Sequence, residues 1–507
     1  MTEGTGGMGE SGETLNDSAS SSRFLADAFY RISGASCRLF AVIITARLLG
    51  SERFGQLGIV IKTVEMVSTV GALSLPPAAT RYLAFFRVAD RERVRRVAIF
   101  AAVAAFASAL LFSCALLLAA RPFAESVIAR PNLVAPLRLA SALIMFRILE
   151  EIAKGALAGF KDFKLIGLVD ALASFLMVPL VVFCVRAWGT SGAVIASAII
   201  SLAGATGCAI PVLRRLARGD YAQTTARWTT ETGLLWEFSL PNTIGVLLTK
   251  LAPWVGITML ARLPGGEAHV GLFYAVDRVT EASLFFLMLA ASTALPVMAE
   301  RVAARDADGL GRLALLNIWL AWMMTMPAAV FATASEPLIM RVLGPDFSGR
   351  GPILSIVVLA VVAASHTVVL FHVLLAHAKA WALAGFAAVW ASVVVVVSWR
   401  FAPSLGAVGV AVSITAAYVA TGAMAWGFGA RVCPILRPRL SHVADIAVFL
   451  DLYGLACVAS GNLSPFAASL CGVILSILCA GVIWVSATDE QRRVLSGFLR
   501  RKAASAD

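Results

Sequence analysis

Charge is scarce in this chain. Asp, Glu, Lys and Arg make up 14% of its 507 residues, against 59% hydrophobic residues. A soluble domain carries roughly a quarter of its residues charged, so a water-facing globular fold is excluded. Patterns that carry catalysis are missing as well. There is no Gly-rich phosphate loop, no nucleophile elbow, and no Asp-rich loop of the kind glycosyl transfer uses. Histidine is rare, with five residues in all, and His366, His372 and His377 follow one another at spacings of six and five, which scatters them around a helix. The eight cysteines form no Cys-x-x-Cys pair and sit mostly in apolar stretches, as small packing residues do. No metal and no cofactor is expected. The first 22 residues lack the basic start and apolar core of a secretory signal. Their polar composition marks residues 1–28 as a disordered cytoplasmic tail.

What is abundant is apolar length. Mean hydropathy is +0.85, and a bilayer core needs roughly 20 apolar residues per helix. Fourteen stretches qualify, near 29–49, 57–79, 97–120, 135–157, 165–187, 193–213, 238–263, 270–298, 313–335, 353–376, 381–399, 406–429, 444–461 and 465–486. The fold class is therefore an all-α integral membrane protein of about fourteen transmembrane helices. The connections are short, and none is large enough for a soluble catalytic domain, which argues against an enzyme.

The net charge of +12 is topological. Of the 42 Lys and Arg residues, 27 fall on the even-numbered connections and the termini, and nine on the odd-numbered ones. Positive charge stays inside, so both termini are expected in the cytoplasm, and no nucleic-acid partner is expected. Trp188, Trp236, Trp381, Trp399 and Trp484 lie near predicted span ends as interfacial anchors.

The chain also repeats itself. Ala46-Arg-Leu-Leu-Gly-Ser-Glu-Arg-Phe-Gly55 returns as Ala261-Arg-Leu-Pro-Gly-Gly-Glu-Ala-His-Val-Gly271. Lys62 and Glu65 follow the first copy at the same distances as Arg278 and Glu281 follow the second. Arg186 and Gly192-Ala193-Val194 echo Arg400 and Gly406-Ala407-Val408 at an offset of 214. Two pseudo-symmetric six-helix lobes in parallel orientation follow, over 29–213 and 238–430. A cytoplasmic linker covers 214–237, accessory helices 13 and 14 cover 431–486, and a basic tail covers 487–507. Duplicated membrane halves with polar residues near the midplane mark a transporter.

Charges inside the spans nominate its site. Arg38 and Lys250 lie near the predicted centres of spans 1 and 7, and Lys62, Glu65, Asp277, Arg278 and Glu281 lie from the centre of spans 2 and 8 toward the outer half. A charge at that depth costs several kcal/mol (~3) facing lipid, so these residues face a wet cavity or one another. Four cations against three carboxylates suit an anionic substrate group such as a phosphate. On span 4, Arg147, Glu150, Glu151 and Lys154 form a ladder at helical spacing, either a cytoplasmic gate or a self-paired face. Asp170, Asp445 and Asp451 are isolated acids expected to be paired or snorkelling.

Three segments carry a family resemblance. They are Ala46 to Gly55 continuing through Gly71-Ala-Leu-Ser-Leu-Pro-Pro-Ala-Ala-Thr-Arg81, then Gly155-Ala-Leu-Ala-Gly-Phe-Lys-Asp-Phe-Lys164, and Gly271-Leu-Phe-Tyr-Ala-Val running on to Leu295-Pro296. In that order they resemble the Wzx-type polysaccharide flippases of the multidrug/oligosaccharidyl-lipid/polysaccharide exporter superfamily. The resemblance implies two lobes in a V around a cavity lined by spans 1, 2, 7 and 8. It also implies movement of a polyprenyl-pyrophosphate-linked oligosaccharide across a bacterial inner membrane by alternating access. Membrane lipids, a polysaccharide polymerase and glycosyltransferases are the implied partners. Relatives carry an acid in mid-span 7 where this chain reads Thr249-Lys250-Leu251, which puts the coupling ion in doubt. The alternatives are a multidrug-type antiporter of small amphipathic compounds, a lipid II flippase, and a membrane glycan polymerase or ligase.

Overall fold

The computed structural model describes residues 10–89, 91–217, 240–349, 351–377, 380–432, 440–488 and 491–492. Every regular element among them is helical. In chain order these are α1 (Glu10–Gly71), α2 (Leu75–Ala89), α3 (Arg91–Pro122), α4 (Val134–Gly159), α5 (Phe163–Ala217), α6 (Leu240–Ala261), α7 (Gly266–Ala303), α8 (Ala307–Ala334) and α9 (Glu336–Leu343). They continue with α10 (Ile353–Ala376), α11 (Ala380–Leu405), α12 (Ala407–Val432), α13 (Leu440–Asn462) and α14 (Pro465–Ser486). Of the described residues, ten helices are long and apolar enough to cross a membrane. The pair Ser36–Gly71 and Leu75–Phe86, bent by 43°, is an eleventh candidate.

The apolar stretches do not map one to one onto helices. α1 carries the first two, separated by a single non-helical residue, Gly50, at φ 70° and ψ 174°. α5 carries the fifth and sixth, separated by Gly189 at φ 58°. These left-handed angles are the ones that a side chain resists and glycine accepts. The break after Gly71 falls where Leu73 and Ser74 take positive φ and Pro76-Pro77 open α2. Proline lacks the N–H that a first helical turn leaves unused. Side-chain caps fix other starts: Asp306 accepts from the Gly309 N–H at 2.8 Å and from Arg301 at 2.7 Å. Those two bonds hold the Asp306 carboxyl below its ordinary range, the Gly309 N–H contributing most.

The duplication is visible in backbone conformation. Gly50 and Gly265 both take left-handed φ, as do Gly189 and Gly406. Gly192 and Gly409 press against the backbones of Cys184 and Phe401, eight residues earlier in each case. The second echo therefore has an offset of 217 (406 − 189 and 409 − 192), not the 214 suggested by the Gly-Ala-Val triplets. The left-handed turn, and not the triplet, fixes the register.

Two compact units result. The first comprises Met1–Leu49, Val60–Ser126 and Pro131–Thr243; the second comprises Gly50–Ile59, Val127–Arg130 and Ile244–Asp507. The second unit thus includes two short connecting segments from the first half of the chain. α1 begins at Glu10, so helix covers residues 10–28, where composition predicted a disordered tail. That stretch contains no proline, and nothing in it interrupts the backbone bonds running back from the apolar part of α1. Most of the linker, residues 218–237, and most of the basic tail lie outside the described residues.

The units are packed for a membrane. Large apolar side chains face outward, among them Leu118, Phe466 and Val485 at 82%, 78% and 72% exposure. Small residues let backbones approach inside, as where Gly155 meets Pro76. The accessory helices are docked on the second unit. Trp319 Nε1 donates to the Ile483 carbonyl at 3.1 Å, and Ser476 Oγ donates to the Pro327 carbonyl at 2.9 Å. The proline site of α8 is thereby braced by α14. Replacing Ser476 with alanine is expected to lower stability by ~1 kcal/mol, the net value of one such bond, read as a small drop in the melting temperature of the solubilised protein.

Candidate functional site

In the first unit, α1, α4 and α5 bring several of the sequence candidates together. Arg38 is exposed on α1, and its Nη1 donates to Ser174 Oγ of α5 at 3.1 Å. Ser174 Oγ in turn donates to the Asp170 carbonyl at 2.7 Å. Lys154 of α4 reaches two carboxylates at once, Glu150 at 2.6 Å on its own helix and Asp170 at 2.7 Å on α5. Arg147 and Glu151 pair at 3.5 Å on the same helix. The span-4 ladder is therefore self-paired, with Asp170 as an additional member from α5. Further along α1, Lys62 and Glu65 form an ion pair at 3.2 Å, with their side chains only 12% and 8% exposed. Helical spacing of three places both on one face.

In the second unit, Arg278 of α7 is shared by Asp277 at 3.1 Å and Glu281 at 2.9 Å, and it lies 5.0 Å from the Tyr274 ring centre. The Glu281 side chain is 47% exposed. Lys250 of α6 differs from all of these. It is exposed, and among the described residues it has neither an ion pair nor a hydrogen bond. The α6 residues Leu248 and Ala252, which pack toward α11, lie on the opposite side of the helix from Lys250. These environments order the reactivity of single cysteines in a cysteine-free background. Glu281→Cys should react readily with a small water-soluble thiol reagent, and Glu65→Cys should be protected.

Residues that sequence reasoning passed over cluster where the two copies of the repeated segment meet in the second unit. A Cβ at Gly55 would collide with the Glu267 carbonyl oxygen, and one at Gly271 with the Ser51 carbonyl oxygen. Gln56 donates to Glu267 at 2.9 Å, and Arg130 donates to the carbonyls of Ala261 and Leu263 at 2.8 Å each. Phe54 packs on Tyr274 and Phe347. The signal was present, since Gly55 and Gly271 end the two copies, but nothing in their spacing says that they touch. A second overlooked group is the ring cluster of Trp322, His366, Trp426 and His442, with centroid separations of 5.6–6.3 Å. Glu336 is another: it is buried and accepts from the Leu354 N–H at 2.9 Å and from Ser355, closing the start of α10. Burial pushes its carboxyl above the ordinary range.

The fold matches solved membrane transporters. An inward-facing multidrug resistance MATE family transporter of the MOP superfamily superposes with a TM-score of 0.68 at 15% identity, covering 81% of this chain and 95% of that one. The lipid II flippase MurJ in its inward closed conformation gives 0.65 at 14% identity, covering 91% and 97%. A MOP superfamily transporter from Pyrococcus furiosus, described as having a binding pocket of reverse polarity, gives 0.60 at 16% identity, covering 82% and 96%. No curated protein sequence matches this one. The fold is the multi-pass helical one of those proteins. Residues 32–302 match the model of the polysaccharide biosynthesis protein family, and the chain belongs to that family of Wzx-type flippases. It is a membrane transporter and not an enzyme.

Proposed function

We infer that the protein moves a lipid-linked oligosaccharide, joined to its polyprenyl carrier through pyrophosphate, from the cytoplasmic to the outer leaflet of a bacterial inner membrane. The observation that carries this reading is the state of the two cations nearest the predicted mid-spans. Lys250 has no partner among the described residues, and Arg38 has only the neutral hydroxyl of Ser174. Every other intramembrane cation nominated from the sequence is paired with a carboxylate. An exposed, uncompensated cation at that depth is costly unless an anion completes it, and a pyrophosphate supplies that anion. One transporter of this fold is described as having a binding pocket of reverse polarity, in keeping with a cationic pocket here.

The test is reconstitution of the full chain in vesicles with a fluorescent polyprenyl-pyrophosphate oligosaccharide, scoring label that becomes accessible on the opposite leaflet. Flipping of this lipid, and none of a neutral glycolipid of equal size, is the expected result. A second reading, an antiporter of amphipathic cations, draws on the extra carboxylate around Arg278. It requires that expression lower the accumulation of cationic dyes. For topology, reporters after Ser51, Asn132, Ser348 and Asn462 should lie outside, and those after Asp90, Asp220, Asp308 and Ala503 inside. An external signal at Asp220 would overturn the six-plus-six division.

A further inference from the structure

We propose that the outward face of α13, centred on Asp451, docks the transmembrane helix of a partner protein that carries a lysine or arginine at mid-span. The carboxylate itself is the observation that carries this. Asp451 stands one residue from the midpoint of the span His442–Asn462. It is exposed, and among the described residues it has neither an ion pair nor a hydrogen bond. Both expectations from the sequence, pairing and snorkelling, therefore fail. A carboxylate on a single methylene cannot reach across half of a bilayer core about 30 Å thick. A charge left in hydrocarbon at that depth is costly, so its counter-charge has to come from another molecule.

The other face of α13 is already in use. Phe449 and Ala456 are fully buried against the second unit. Tyr453 donates its hydroxyl to the Ser355 carbonyl at 2.5 Å, and its ring packs 5.7 Å from that of Phe449. Asp445, the other aspartate of this helix that lies within the span, is 5% exposed and has Ser486 of α14 beside it. At 100° per residue, Asp451 points away from Phe449 and Ala456. One carboxylate of α13 is thus accommodated by the fold, and the other is turned out of it.

The surroundings of Asp451 suit a second helix. Ala444, Ala447, Gly454, Val458 and Gly461 share its face at alternating steps of three and four, and all of them are exposed. A Cβ added at Gly454 or Gly461 would meet nothing within 4 Å, whereas one at Gly472 of α14 would lie 2.8 Å from the Ala334 side chain. The two α13 glycines therefore do no close packing inside this chain, although glycine weakens a helix interior. Small side chains at this spacing admit another helix to short range, which brings a cation on it within reach of Asp451. Charge then selects the occupant. A lipid tail offers no counter-charge, and a second copy related by a twofold axis would set Asp451 against Asp451. A basic residue on the span of a different chain meets both demands.

Two experiments on the full chain test this. In the first, the labelled protein is reconstituted in lipid vesicles with a labelled single-span helix of leucine and alanine carrying one central arginine, and energy transfer reports association. The arginine helix should associate about tenfold more strongly than an otherwise identical helix with leucine at its centre. Asp451→Leu should bring the two to the same level. Equal association of both helices with the unmodified protein, or an undiminished preference in Asp451→Leu, overturns the proposal. In the second, a photoreactive amino acid replaces Gly454 in cell membranes, and the crosslinked peptide is mapped. An adduct with a transmembrane segment of another chain that holds a lysine or arginine at mid-span, lost when Asp451→Leu is added, is the expected result. An adduct with lipid alone, with a second copy of this chain, or with a span lacking a basic residue overturns it.

Discussion

Lys250→Gln and Arg38→Gln should each reduce flipping of the proposed lipid-linked oligosaccharide by about ten- to a hundredfold, while expression and membrane insertion stay normal. The size follows from losing a charge-assisted contact of ~1.5–3 kcal/mol with the phosphate. Stability is spared because neither side chain is paired with a carboxylate among the described residues, so neither substitution strands a buried anion there. The two sites should differ in their tolerance of conservative exchange. Arg38→Lys keeps the charge and loses the two-pronged donor geometry, so part of the activity remains. Lys250→Arg keeps a point of positive charge on an exposed face and should work nearly as well as lysine. Normal flipping by both glutamine variants, measured in vesicles with equal protein content, would remove the basis for an anionic substrate.

The second large effect is on assembly. Gly55→Ala and Gly271→Ala each place a methyl group inside the contact distance of a main-chain carbonyl, Glu267 for the first and Ser51 for the second. A backbone has no rotamer by which to move away, so the helices must separate, and overpacking of this kind costs ~1–3 kcal/mol. Both variants should melt several degrees lower in detergent. Gly427→Ala is the matched control, since nothing lies within 4 Å of the added atom, and it should be neutral or slightly stabilised. Equal melting temperatures for all three would show that the close approach at Gly55 is not a constraint.

The membrane class, the fourteen apolar stretches and the duplication were legible in the sequence because each depends on composition or on residues close in the chain. Spacing of three or four also foretold the Lys62–Glu65 and Arg278–Glu281 pairs. Legibility ended where partners come from distant residues. Asp170 looked solitary because its partner, Lys154, belongs to the preceding helix. Gly204, on the other side of the Gly189 break from Asp170, gave no sign that it makes room for Glu150. The offset of the second echo was misjudged by three residues, because Gly-Ala-Val recurs by composition while the left-handed turns at Gly189 and Gly406 are a property of the backbone. Helix at residues 10–28 was hidden for a related reason: polar composition reports the lack of a buried face, not the backbone conformation.

The contact between Gly55 and Gly271 has a further consequence. Each glycine faces the backbone of the segment that carries the other, so the two copies touch through equivalent positions. This is the geometry of an isologous interface, in which one surface recognises itself across a twofold axis. Both halves of this self-complementary patch lie in one chain, so the contact forms without dependence on protein concentration. A restraint follows from that reciprocity. A change in either copy alters the surface that the other must fit, so the two segments are free to diverge in sequence, as Arg53-Phe54 and His269-Val270 have, but not in the space left at their glycines.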